Sequence, residues 1–82
     1  MWEIKFSKKA EKDLEKLTLD VQERILNVFE RIKVRPHSYV KRLVGTKYFR
    51  LRVGDYRVIL DLINGELVVM VIEIGHRKNI YK

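Results

Sequence analysis

The chain has 82 residues, a formal net charge of +7, 46% hydrophobic residues, one proline and no cysteine. That describes a single folded domain over residues 1–82 with a modest core, marginal in stability unless a partner helps. Disulfides, thiolate nucleophiles and cysteine-based zinc sites are excluded, and two isolated histidines, His37 and His76, do not make a metal site, so no metal or cofactor is expected.

In chain order, Trp2-Glu3-Ile4-Lys5-Phe6 alternates apolar and polar residues, as a half-buried strand does. The charges at Glu3, Lys5, Lys8 and Lys9 interrupt any signal-peptide pattern, so a cytoplasmic protein is the expectation. Ser7 is a candidate N-cap for a first helix carrying Ala10, Leu14 and Leu17 on one face. Thr18 or Asp20 can cap a second helix, whose apolar side holds Val21, Ile25, Val28, Phe29 and Ile32 and which Pro36 ends. The short link between them predicts an antiparallel helix hairpin. A basic connector follows, with Arg35, Lys41, Arg42 and Lys47.

The remainder reads as two consecutive β-hairpins. Tyr48 to Val53 meets Tyr56 to Ile63 across Gly54-Asp55, which suits a type II′ turn. That strand meets Glu66 to Ile74 across Asn64-Gly65, which suits type I′. Its near-apolar run, Leu67 to Ile74, has the length of a strand and is far too short to span a bilayer, so no membrane partner is expected. The expected architecture is α+β: an N-terminal strand, an antiparallel helix hairpin, then a three-strand antiparallel meander, with the helices on one face of the sheet.

A two-residue loop fixes register. Across Gly54-Asp55, Val53 pairs with Tyr56, Arg52 with Arg57, Leu51 with Val58 and Arg50 with Ile59. Phe49, Leu51, Val53, Val58, Leu60, Leu62, Leu67, Val69 and Val71 then point toward the helices. The opposite face holds Tyr48, Arg50, Arg52 and Arg57 at one end, and Ile59, Val68, Met70, Ile72 and Ile74 at the other, with Asp61 among them. Simple parity puts His76 near the arginines and Glu73 on the other face. Like charges placed opposite one another destabilise a sheet, so the arginine cluster points to an anionic ligand, phosphate first. Charge is uneven in the same sense: residues 1–40 carry nine Lys/Arg against seven Asp/Glu, and residues 41–82 nine against four. Only Gly75 to Lys82 follows the last strand and is left to cover the apolar half of that face, which therefore points to a protein partner.

Leu43-Val44-Gly45, Tyr48-Phe49-Arg50-Leu51-Arg52, Gly54-Asp55-Tyr56-Arg57, Ile74-Gly75-His76-Arg77 and Tyr81 occur in an order that resembles the RelE/ParE superfamily of toxin–antitoxin toxins, most closely its RelE branch. The resemblance covers nearly the whole chain. It implies a ribosome-dependent endoribonuclease that cuts messenger RNA in the ribosomal A site without a metal. The ribose 2′-OH would attack the adjacent phosphate and leave a 2′,3′-cyclic phosphate and a 5′-OH. On this resemblance Arg50, Arg52, Arg57, His76, Arg77 and Tyr81 are the catalytic candidates. Lys41, Arg42, Lys47 and Tyr48 would meet RNA or the ribosome. A cognate antitoxin would form a heterocomplex over Ile59, Val68, Met70, Ile72 and Ile74.

The chain departs from the best-known RelE relatives in two ways. Arginine replaces lysine at positions 50 and 52, and a guanidinium does not give up its proton, so His76 or Tyr81 inherits the role of base. Imidazole is the better proton acceptor at neutral pH. The chain also stops soon after Tyr81. Two other functions stay open: a ParE-like inhibitor of DNA gyrase without ribonuclease activity, and a small basic RNA-binding module without catalysis.

Overall fold

The structure, a computed structural model, describes residues 1–76. Its elements are β1 (Glu3–Phe6), α1 (Lys8–Glu15), α2 (Leu19–Ile32), a 3-10 turn (Pro36–Ser38), β2 (Lys41–Arg42), β3 (Phe49–Val53), β4 (Tyr56–Ile63) and β5 (Val68–His76). Ser7 caps α1 as expected, its Oγ accepting the Ala10 N–H at 3.0 Å. Thr18 is the N-cap residue of α2, but its hydroxyl donates to Asp20 Oδ1 at 2.7 Å and makes no cap bond.

The strands form one five-stranded sheet in the order β1-β5-β4-β3-β2. The meander β3-β4-β5 is antiparallel, while β1 pairs with β5 in parallel, which makes the sheet mixed. The α1–α2 connection carries the chain across one face of the sheet, and both helices pack there. Ala10 from α1 and Ile25, Phe29 and Ile32 from α2 bury against Leu51, Val53, Val58, Leu60, Leu62, Val69, Val71 and Ile74. At about 25 cal/mol per Å² of apolar surface, this face is the main source of stability. The expected α+β layering is the observed one.

The first hairpin has the expected register, with Val53 opposite Tyr56, Arg52 opposite Arg57, Leu51 opposite Val58 and Arg50 opposite Ile59. Gly54 takes φ +58°, the left-handed first central position that a II′ turn requires.

The second hairpin differs. Ile63 pairs with Val68, so the loop is the four residues 64–67 in place of Asn64-Gly65 alone. Glu66 N donates to Ile63 O and Leu67 N to Asn64 O, and Leu67 takes φ +54° to re-enter the strand. Leu67, expected in the core, is 46% exposed. The register moves by two residues, so Val69 and Val71 still face the helices.

A second departure lies within β5. Ile59 pairs with Glu73 and Leu60 with Val71, which leaves Ile72 as the extra residue of a β-bulge. Hydrogen bonds from outside the hairpin hold it. Where β1 ends, the edge of β5 is taken over by α1: Ser7 N donates to Val71 O at 2.9 Å, and Ser7 Oγ to Ile72 O at 2.8 Å. Ile74 N donates to Asp13 Oδ2 at 3.0 Å. Beyond the bulge, alternation is inverted. Ile74, expected on the arginine face, pairs with Val58 and is 4% exposed within the core.

Candidate active site

β3 and β4 set the site. Arg50, Arg52 and Arg57 project from the face away from the helices, as register requires, with Arg52 directly opposite Arg57. The two-residue strand β2 adds a fourth cation, because Lys41 pairs with Arg50. Lys41, Arg50, Arg52 and Arg57, with Tyr39, line a cleft of about 170 Å³. Arg52 Nε donates to Gly54 O at 3.3 Å, which holds this guanidinium beside the β3–β4 turn. Arg50 and Arg57 are half-buried, whereas Arg52 and Lys41 are exposed. Four cationic side chains around one small cleft present charge-assisted donors to an oxyanion.

The other basic candidates are dispersed. Arg42 pairs with Phe49 on the helix-facing side and lies over its ring at 5.3 Å. Lys47 lies at the far end of the arginine face, 3.8 Å from Asp61 and 5.5 Å from the Tyr48 ring centroid. Of the four expected RNA contacts, Lys41 alone lines the cleft.

The bulge changes what surrounds the arginines. His76 was expected beside them, but it pairs with Tyr56 on the helix-facing side, where the two rings meet edge-on at 5.5 Å. Glu73 was expected on the helix side and instead pairs with Ile59 on the arginine face. Gly75 pairs with Arg57 and puts no side chain between that arginine and β5 beyond the bulge. Arg77 and Tyr81 lie outside the described residues.

The apolar half of this face is smaller than expected. Ile59 and Val68 are 7% and 4% exposed although they are not part of the helix-side core. With Ile74 rotated inward, Met70 and Ile72 are the half-buried ones among the residues expected there.

Sequence reasoning missed two residues of this face, Tyr39 and Glu73. For Tyr39 a signal existed: in Tyr39-Val40-Lys41-Arg42, Val40 packs toward the core and Arg42 toward Phe49, which leaves Tyr39 and Lys41 on the cleft side. For Glu73 there was none in the strand itself.

Comparison with known proteins decides the family. The family model described as ParE toxin of type II toxin–antitoxin system, parDE, matches residues 4–81. The chain belongs to this toxin family. It is a type II toxin–antitoxin toxin of the RelE/ParE superfamily. A RelE-like toxin protein of Escherichia coli is 25% identical over 80 residues, covering 94% of this chain and 84% of the relative. Among solved structures, the archaeal RelE–RelB complex from Pyrococcus horikoshii OT3 matches with TM-score 0.80 at 26% identity, over 95% of this chain and 97% of that one. The intact E. coli RelBE toxin–antitoxin complex matches with TM-score 0.79 at 25% identity, over 93% and 96% of the two chains. The RelBE2 toxin–antitoxin complex of Mycobacterium tuberculosis, at 23% identity, shares the fold with TM-score 0.84 over 93% and 98%. No helix among the described residues is long and apolar enough to cross a membrane.

Proposed function

We propose that this toxin is a ribosome-dependent endoribonuclease that cleaves messenger RNA in the ribosomal A site, in the cytoplasm, by metal-independent attack of a ribose 2′-OH. The observation that supports it is the cleft bounded by Lys41, Arg50, Arg52 and Arg57. Charge builds on the non-bridging oxygens as the 2′-oxygen adds to phosphorus and the 5′-oxygen departs. Preorganised guanidinium groups stabilise that charge where it develops. Arg57 is half-buried and flanked by Arg52, so it is the strongest candidate for the transition-state contact. Tyr39, at the rim and 46% exposed, offers a ring on which an A-site base can stack. Arg77 and Tyr81 complete the proposed site on family resemblance.

The partner in the resting cell is a cognate antitoxin, as in the RelE complexes whose fold this chain shares. A chain of net charge +7 favours an acidic antitoxin segment that folds on binding. On the apolar half of the sheet its contacts are Met70 and Ile72, since Ile59, Val68 and Ile74 are buried.

The matching family description, ParE toxin, favours a second reading: inhibition of DNA gyrase through protein contacts. One paired experiment separates the two. Primer extension on a defined message in a reconstituted translation reaction should show cuts within A-site codons that need ribosomes and fall at least about 100-fold in Arg57→Ala. Absence of cuts, together with inhibition of gyrase supercoiling that survives Arg57→Ala, would replace the ribonuclease reading with the gyrase one.

A further inference from the structure

We infer that Glu73 is the general base that takes the 2′-OH proton, an assignment that rests on the ribonuclease reading above. The reaction needs a proton acceptor next to the cations, and the cations cannot supply it. Guanidinium groups stay protonated, which removes Arg50, Arg52 and Arg57. Lys41 is exposed on the edge strand opposite Arg50, and its ammonium is a phosphate donor with no acceptor lone pair. His76 lies on the opposite side of the sheet against Tyr56. Asp61 shares the arginine face but lies toward its far end, with Lys47 at 3.8 Å.

Glu73 has the position and the chemistry. The bulge sets it opposite Ile59, whose other neighbour across the sheet is Arg50. It is also two residues from Gly75, the partner of Arg57. Glu73 and Arg57 are therefore diagonal neighbours, a relation that spans roughly 7–8 Å between backbones and lies within reach of long side chains. With glycine opposite Arg57, no side chain from that position stands between the carboxylate and the guanidinium. Glu73 is half-buried, and among the described residues no ion pair engages its carboxylate. Glu73 lies outside the cleft lining, one strand beyond Arg57, so the step requires a phosphate held by Arg57 with its 5′-flanking ribose over β4 and the 2′-OH toward Glu73.

The step balances. The 2′-O–H bond breaks and its proton passes to a Glu73 carboxylate oxygen, while the 2′-oxygen forms a bond to phosphorus. The P–O5′ bond breaks, its electron pair stays on the 5′-oxygen, and that oxygen takes a proton from water. Glu73 then returns its proton to solvent. The arginines hold the non-bridging oxygens and exchange no proton.

The test is single-turnover cleavage in ribosome complexes with a defined A-site codon, comparing wild type, Glu73→Gln and Glu73→Asp, with ribosome affinity and melting temperature measured on each. A general base contributes about 10²–10⁴-fold. Glu73→Gln should slow cleavage by at least about 100-fold while affinity and melting temperature hold, and Glu73→Asp should recover part of the rate. Cleavage by Glu73→Gln within about threefold of wild type would overturn the assignment and leave the ribonuclease reading intact. Slow cleavage matched by an equal loss of ribosome affinity or a lowered melting temperature would make Glu73 structural and overturn it also. A wild-type protein that cuts nothing would overturn both.

Discussion

The Asp13 carboxylate on α1 accepts the backbone N–H of Ile74 at 3.0 Å, 61 positions further along the chain. At the start of the same helix, Ser7 both caps it and donates to Ile72 O. These contacts hold the β5 bulge from the side where β1 has run out. The bulge in turn decides that Ile74 faces the core, Glu73 the arginines and His76 Tyr56. Two side chains from the two ends of α1 thus help set the composition of the opposite face of the sheet.

Removing that anchor should be costly. Asp13→Ala strands the Ile74 N–H at a part-buried position, and the loss of a buried partner typically costs about 1–3 kcal/mol. Ser7→Ala removes a cap and a bulge contact together, with a cap alone contributing about 1 kcal/mol. Urea unfolding of both variants should show lowered midpoints, and cleavage should fall because Glu73 is displaced. A midpoint unchanged in both would mean that β5 bulges without help from α1.

Leu67 holds a left-handed backbone, φ +54°, that a γ-branched residue adopts at a cost of roughly 1–2 kcal/mol. Its side chain is 46% exposed, so it gains only part of a buried leucine's stabilisation in return. Leu67→Asn or Leu67→Gly should therefore raise the denaturation midpoint and leave ribosome binding unchanged. A lowered midpoint would show that the packing of the leucine side chain outweighs the backbone strain.

The hydrogen bond from Thr18 Oγ1 holds the Asp20 carboxyl below its ordinary value of 3.8. A depressed folded value stabilises the folded state at pH above the unfolded value, and that contribution disappears as pH falls through the folded one. Thr18→Val should raise the Asp20 midpoint in an NMR titration and remove this acid-side dependence. A midpoint that does not move would assign the shift to another cause.

Cations that meet phosphate release counterions, so removing one such cation should flatten the dependence of log affinity on log salt by about 0.7–0.9. Lys41→Gln and Arg52→Gln should each do this in ribosome-binding titrations, because both side chains line the cleft. Arg42→Gln, on the opposite face over Phe49, should have a smaller effect. Equal slopes for all three variants would contradict the cleft as the RNA-binding surface.

Much of this was legible in residue order. Gly54-Asp55 specified the β3–β4 turn, and with it the shared face of Arg50, Arg52 and Arg57. Ser7 declared its cap, and the apolar spacing of α2 gave Ile25, Phe29 and Ile32. What failed did so where one segment was overridden by another. Asn64-Gly65 has the signature of a two-residue turn, yet Glu66 and Leu67 join the loop once the β4–β5 register is set. The bulge was invisible to alternation because the bonds that hold it come from Ser7 and Asp13, on another element. His76, Ile74 and Glu73 were therefore all assigned to the wrong side by a counting rule that holds only up to Val71. Lys41 reached the cleft through a strand of two residues, too short to show any period.

The most direct test of the central claim is chemical identification of the ends left in a message cut on the ribosome. In-line attack by a 2′-OH predicts a 2′,3′-cyclic phosphate upstream and a 5′-OH downstream. It also predicts no cutting when the nucleotide 5′ to the scissile phosphate lacks its 2′-hydroxyl. A 3′-OH with a 5′-phosphate, or undiminished cutting of the 2′-deoxy message, would contradict it.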